Sequence, residues 1–565
     1  MLTLAQIGLK LAFGSSLVAI AAFIWGHSQG PRNGAGSTKV GYYASYAAAA
    51  FFTLCVAIMT LSFFRMDFQF DYVALNMPYD VSSIAWLYKL SGVWAGREGS
   101  LLFWTWLISL FNAWMAYRRQ KVADPLSNMG IMVTNVVMAL FGAAMIFSTF
   151  NDPFKQTPAM FLDAAGNLVG QAAAWGMNPL LQHWAMTAHP PTLFVGYAGM
   201  TIPFAFAVAA MIVKDGSKLW VEIVNRVTVF AWVFLGIGIG LGAVWAYVVL
   251  GWGGYWAWDP VENASLLPWL TGVGLLHSFT LYRRRGAFKT WAIINACVSF
   301  SMVILGTFIT RSGVIQSVHA FASDPVSLYL FLTMIIAPIV ILVYGLSVNK
   351  KTFESDDAFE SLTSREAAYY FNNVIMLVAS VLIAYLTLSQ SFPSWMPFGG
   401  MIVAPESYDA VARPIGIAYI MIIALCPLLS WGRAIGKEFW KKMLWPGIAA
   451  LGIFALLMVE WWVNLYPNYV ETLSHGGSNA AKLASAGPSV YYNGLAILGL
   501  SVAAITITTT LFMFVQGVRA RMKGKGESAG KALSFILFRA RTQSGGYLAH
   551  LGMAIILIGL VGSNM

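Results

Sequence analysis

The sequence predicts an all-α, polytopic integral membrane protein with about 14 transmembrane helices joined by irregular external loops. Of 565 residues, 58% are hydrophobic and 10% charged, whereas an ordinary soluble domain is about 25% charged. The mean hydropathy is +0.69. The apolar residues are gathered into runs long enough to cross roughly 30 Å of hydrocarbon at about 1.5 Å per residue. A water-soluble enzyme, a disordered scaffold and a fibrous protein are excluded on these grounds.

In chain order the spans are expected at 5–25, 43–64, 100–117, 129–150, 191–213, 228–250, 264–282, 290–310, 326–348, 370–389, 414–432, 445–465, 493–514 and 546–562. The first run follows almost no positive segment and lacks an evident cleavage site, so it reads as a retained helix. Charge on the connections supports the count. Of 34 basic residues, 26 fall on one alternating set of loops, from Arg32 and Lys39 to Arg519–Arg541, and seven on the other set. Positive charge marks the cytoplasmic side, which places both termini outside. The net charge of +11 therefore marks a membrane face rather than a nucleic-acid partner. The external face carries the longer loops, 65–99, 151–190, 251–263, 311–325, 390–413 and 466–492. No internal repeat is evident, and residues 1–565 read as a single membrane domain.

Cys55, Cys297 and Cys426 lie singly in apolar runs, without redox or metal-ligand spacing, and read as packing residues. No carboxylate lies near a span centre, which counts against a proton-coupled transporter. Of seven histidines only His277 and His550 fall within spans, while His27, His183 and His475 read as loop residues without a role. His277 lies six residues before Arg283 and His550 nine after Arg541. That puts them about 9 and about 13 Å from the same membrane face. Two imidazoles at matched depth suit bis-histidine ligation of a b-type heme; equally, each could hydrogen-bond a neighbouring helix. Gly552, and Gly272 and Gly274 near His277, leave backbone that a macrocycle could approach.

The external segment 251–263 places Trp252, Tyr255, Trp256 and Trp258 within seven residues. Interfacial aromatics commonly anchor helices, but a glycine-spaced cluster also suits stacking on a porphyrin face. At its end Asp259, Pro260 and Glu262 fit the N-cap, N1 and N3 positions of a capping box. Asp259 can serve as that cap or contact a cofactor. His189, before Pro190–Pro191 at the opening of the fifth span, and His319, after the eighth, bracket this loop. Each reads either as an ordinary helix-end or loop residue or as an axial ligand of heme iron. Arg311 could pair with a heme propionate.

These residues resemble the CcmF cytochrome c heme lyases, within the tryptophan-rich (WWD) heme-handling proteins. The resemblance rests on Trp94-Ala-Gly-Arg-Glu-Gly-Ser100, His189-Pro-Pro191, Trp252 to Asn263 with Trp269, His277, Arg311-Ser-Gly313 with His319, and His550-Leu-Gly552. It implies that His277 and His550 ligate a permanent membrane heme b. It implies that His189 and His319 hold the iron of a substrate heme over the tryptophan platform. The implied reaction adds the thiols of a Cys-x-x-Cys-His apocytochrome c across the heme vinyl groups, with quinol supplying electrons through the membrane heme. The implied partners are apocytochrome c, a CcmH-like thiol-redox subunit and a CcmE-like heme chaperone, in the lipid of the bacterial cytoplasmic (inner) membrane. No residue is assigned as a catalytic acid or base, so catalysis would be chiefly orientation.

Longer family members continue past the His550 position, so the expectation is a short relative, half of a split system or a truncated chain. Alternative readings are a non-catalytic heme transfer or export protein and an ion or metabolite transporter. A multi-heme conduit would need four transmembrane histidines.

Overall fold

A computed structural model of the chain describes residues 1–79, 82–249, 254–317, 324–357, 359, 361–432, 436–485 and 487–563, without the side chains of 478, 479 and 482. Fourteen helices among these are long and apolar enough to cross a membrane. They are α1 (Leu2–Ser28), α2 (Ala35–Arg65), α3 (Arg97–Arg119), α4 (Pro125–Phe147), α5 (Trp184–Val213), α6 (Leu219–Val249) and α7 (Pro260–Arg285). The remainder are α8 (Lys289–Arg311), α9 (Pro325–Val348), α10 (Arg365–Leu388), α11 (Pro405–Leu425), α12 (Lys437–Glu460), α13 (Ser489–Lys525) and α14 (Arg541–Ser563). Each overlaps one expected span, and most extend several residues beyond it. The protein is an all-α polytopic membrane protein. Among the described residues the extended pairings are two isolated bridges, Phe70 with Gln156 and Leu162 with Leu168.

Local chemistry sets the helix ends. Asp124-Pro125, Asp259-Pro260 and Asp324-Pro325 open α4, α7 and α9, each aspartate accepting a backbone N–H while proline fills the donorless first position. Gly286 ends α7 at φ 69°, a left-handed conformation that costs glycine little, directly after three arginines that suit the negative helix end.

The chain forms two compact units. The first contains Met1–Asp356 and Ser380–Ile402. Its helices approach closely at small residues, since apolar surface alone gives no drive for association in lipid. A Cβ on Gly196 would meet Leu235, one on Gly199 would meet Ala231, and one on Gly238 would meet the Leu193 backbone, so α5 and α6 are nearly in backbone contact. Polar bonds add to this packing. Asn135 donates to Ser45 at 2.9 Å, Tyr42 to Asn128 at 2.8 Å and Ser299 to Thr271 at 2.9 Å. The loops around 70 and 155 are sewn together by a Lys155–Asp71 ion pair at 3.0 Å and by Thr157 N–H donating to the Gln69 carbonyl at 2.9 Å, and Met177 N–H donates to the Met77 carbonyl at 2.8 Å.

The second unit contains Asp357–Ala379 and Val403–Met565. Arg365 donates to the Pro427 carbonyl at 2.6 Å and lies over the Trp431 ring, while Glu366 accepts the Gly432 N–H. Gly499 on α13 admits Val561 and Leu557 of α14. The basic link after α13 contains a further short helix, Ala529–Phe538. Cys55 and Cys297 are fully buried, as expected of packing residues.

Candidate functional site

The first turn of α7 organises the described part of the tryptophan loop. Asp259 and Glu262 form the capping box read from the sequence. The Glu262 carboxylate accepts the N–H groups of Ala257 at 2.9 Å and Asp259 at 3.2 Å. Asp259 accepts the Val261 N–H at 3.0 Å and the Ser317 hydroxyl at 2.7 Å. Asn263, fully buried, donates to the Trp258 carbonyl and to Thr387, both at 3.0 Å. Within this frame Trp258 has φ 57°, a region that bulky residues seldom enter. The Trp256 and Trp258 rings meet edge to face at 5.8 Å. Trp252 lies outside the described residues.

His189 sits inside α5, not at its opening. The helix starts at Trp184, where His183 accepts the Ala185 N–H as the cap. The proline pair, read from the sequence as the start of the span, lies in the second turn. The His189 ring packs in a recess of α6: a Cβ on Gly242 would lie 2.7 Å from its Cε1. Its Nδ1 is 2.7 Å from the Gly238 carbonyl. In α7, His277 Nδ1 is 2.8 Å from the Val273 carbonyl. A carbonyl can only accept, so Nδ1 donates in both rings, and in the neutral form of each ring Nε2 carries the lone pair. Metal-bound histidines commonly have this tautomer fixed in this way.

His319 lies outside the described residues. His550 is on α14 in the second unit, and a Cβ on Gly552 would meet nothing within 4 Å. Gly272 and Gly274 serve helix packing instead of leaving backbone open: their added Cβ atoms would meet Trp232 and Met200, and Asn295. Trp269 stacks on Trp232 at 5.1 Å and 13° and accepts its indole N–H through the main chain.

Arg311 and Arg97 form a buried network. Arg311 donates to the Arg97 carbonyl at 2.7 Å and to Ser100 at 2.6 Å. Arg97 pairs with Asp324 at 3.3 Å, with the two side chains 6% and 2% exposed, and also donates to Asn151 at 3.2 Å. Ser148, Asn151 and Ser327 donate to the same carboxylate at 2.8, 2.9 and 2.7 Å. Burial alone would raise the Asp324 carboxyl, but the hydrogen bonds from Ser327 and Ser148 and the N–H groups of Val326 and Ser327 outweigh it and hold it below the ordinary aspartate range. The network ties the start of α3 to the end of α8 and the start of α9. It was not read from the sequence, where Arg97 and Arg311 belonged to separate motifs and Arg311 was offered to a heme propionate.

The family model described as Cytochrome C assembly protein matches residues 94–316. That segment holds Arg97, His189, the tryptophan loop, His277 and Arg311, whereas His319 and His550 lie beyond it. The chain is 33% identical to the cytochrome c-type biogenesis protein CcmF of Pseudomonas aeruginosa, over 99% of this chain and 77% of the relative. The chain belongs to the CcmF family of cytochrome c biogenesis proteins. It is also 33% identical to the CycK protein of Bradyrhizobium diazoefficiens, over 84% of this chain and 65% of the relative. The NrfE protein of Haemophilus influenzae is 29% identical over 92% of this chain and 73% of its own length. The chain thus spans about two thirds to three quarters of these CcmF-family relatives. Its fold is similar to a solved structure named Cytochrome c Heme Lyase CcmF, with TM-score 0.71 and 24% identity over 99% of this chain and 76% of that one.

Proposed function

We propose that this chain is the heme-handling component of a cytochrome c heme lyase in the bacterial inner membrane, with both termini on the external side. One observation carries the reading: His189, on the tryptophan-loop unit of a CcmF-family chain, donates its Nδ1–H to the Gly238 carbonyl. In a neutral ring that tautomer puts the lone pair on Nε2, the nitrogen that would bind iron. The substrate heme is held by His189 and His319 against Trp252, Trp256 and Trp258, with Asp259 bracing the platform and Arg311 contributing positive charge toward a propionate. Each thioether forms when a cysteine S–H of the apocytochrome Cys-x-x-Cys-His segment adds across a vinyl group. Sulfur bonds to the carbon next to the porphyrin ring and the thiol hydrogen ends on the terminal carbon, with no net redox change. The protein's contribution is alignment of ring and thiols, so no acid or base is assigned.

His277 and His550 are the proposed ligands of a resident heme b. The His277 tautomer fits that group. When bound, it would supply electrons drawn from quinol. Apocytochrome c, a CcmH-like thiol-redox subunit and a CcmE-like heme chaperone are the proposed partners. The test is maturation of a reporter apocytochrome by the full chain with its partners, comparing wild type with His189→Ala and His319→Ala. Loss of covalent heme in both supports the proposal; normal covalent attachment in both overturns it. Heme uptake without covalent product would assign transfer instead of lyase chemistry.

A further inference from the structure

The strained backbone of the tryptophan loop has visible restraints. The φ of 57° at Trp258 disfavours an L-residue by about 5- to 30-fold relative to right-handed backbone. A conformation of this kind persists only where its surroundings over-determine it. Three side chains do so from three directions. Glu262 gathers the N–H groups of Ala257 and Asp259, on either side of Trp258. Asn263 holds the Trp258 carbonyl and is itself held by Thr387, 124 residues away. Ser317, from the segment after α8, donates to Asp259 at 2.7 Å, on the same carboxylate oxygen that caps α7. The two loops therefore share one carboxylate.

We infer that Glu262, Asn263 and Ser317 are positioning residues of the tryptophan platform, holding the Ala257–Asp259 backbone in its left-handed turn and coupling it to the segment after α8. None of the three touches heme in this account; each acts through the main chain that carries the Trp256 and Trp258 rings. The inference deepens the proposed function and rests on that reading for its effect on heme, though not for its effect on the loop. Trp258→Gly separates ring from backbone, because glycine enters φ 57° freely.

The experiment is amide hydrogen exchange on the detergent-solubilised full chain, followed by hemin titration monitored by absorption, for wild type, Asn263→Ala, Ser317→Ala, Ser317→Thr and Trp258→Gly. The Ala257 and Asp259 amides are expected to exchange about tenfold faster in Asn263→Ala and Ser317→Ala, as loss of one buried hydrogen bond allows. Ser317→Thr keeps the hydroxyl and restores wild-type exchange. Trp258→Gly keeps protection but weakens hemin uptake, whereas Asn263→Ala and Ser317→Ala lose both. Wild-type protection in Asn263→Ala and Ser317→Ala would overturn the inference whatever hemin does. Lost protection in those variants, with no hemin uptake even by wild type, would support the positioning role and refute the heme reading.

Discussion

Gly242→Ala tests the His189 site with little disturbance elsewhere. The added Cβ would lie 2.7 Å from Cε1, 3.0 Å from Nδ1 and 3.2 Å from Nε2 of His189. Carbon atoms settle at about 3.5–4.0 Å, so the ring must retreat by about 0.8 Å, breaking or stretching its bond to Gly238. Loss of that bond costs about 1 kcal/mol. Alanine in place of glycine inside a helix returns about 0.8–1.0 kcal/mol, so stability changes little. A metal–nitrogen bond tolerates only about 0.2 Å, so an iron held by His189 would lose its ligand. The expected result is a variant that melts within a few degrees of wild type in detergent while its hemin complex shifts from low- to high-spin absorption. Gly238→Ala is the contrasting control: its Cβ would meet the Leu193 backbone at 2.9 Å, which cannot move aside, so α5 and α6 must separate. A Gly242→Ala protein that binds hemin with wild-type affinity and low-spin absorption would refute the placement of His189 as a ligand.

Asp324→Ala should destabilise the first unit by about 3–5 kcal/mol, because it leaves the buried Arg97 guanidinium without its carboxylate, as measured by loss of monodisperse protein on heating. Arg97→Met should cost less, about 1–3 kcal/mol, since Asp324 keeps donors from Ser148, Asn151 and Ser327; the reverse order would contradict the geometry. The Asp324 carboxyl is held below its ordinary range, so its stabilisation is fully present above about pH 4 and fades as pH falls through the lowered folded value. Acid-melting curves of wild type should therefore steepen below about pH 4, and Asp324→Asn should flatten that limb. Pyridine hemochrome assays should find non-covalent heme b in wild type, and absorption spectra of the native protein should show its loss or conversion to high spin in both His277→Ala and His550→Ala; wild-type heme content and spectra in both would dismiss the membrane site.

The legible part of this molecule was the part governed by short-range chemistry. Span length depends on consecutive apolar residues, and the alternating loop charges guard against a missed helix, so all 14 spans were found. The capping box at Asp259 was equally plain, because N-cap, N1 and N3 are neighbours in sequence. The opening of α5 was misplaced for a local reason. Pro190–Pro191 looks like a start signal, yet His183 supplies a cap seven residues earlier and carries the helix through both prolines. Gly272 and Gly274 were misread because nothing in the sequence says whether Trp232, Asn295 or a ligand fills the space above a glycine. The Arg97–Asp324 pair joins residues 227 apart, and Asn263 with Thr387 joins residues 124 apart. Such pairings come from the three-dimensional packing and leave no periodic trace.

The histidines show why residue type alone was insufficient and what geometry adds. On the sequence, His189 was one of seven histidines and its role rested on resemblance. In the fold, α6 presents a carbonyl at Gly238 and a recess at Gly242 one turn later, and the ring occupies both. The carbonyl selects the tautomer, and the missing Cβ sets the ring position. A histidine kept only to satisfy a neighbouring helix would need the first feature and not the second. For such a residue, stretching or losing the Nδ1 bond in Gly242→Ala costs about 1 kcal/mol and nothing more. A ligand cannot accept that displacement, because a metal–nitrogen bond tolerates only about 0.2 Å. The spectrum of Gly242→Ala therefore discriminates between the two roles. High-spin or lost hemin with little change in melting means that ring position governs binding; unchanged low-spin hemin means that His189 is a packing residue and the ligand lies elsewhere.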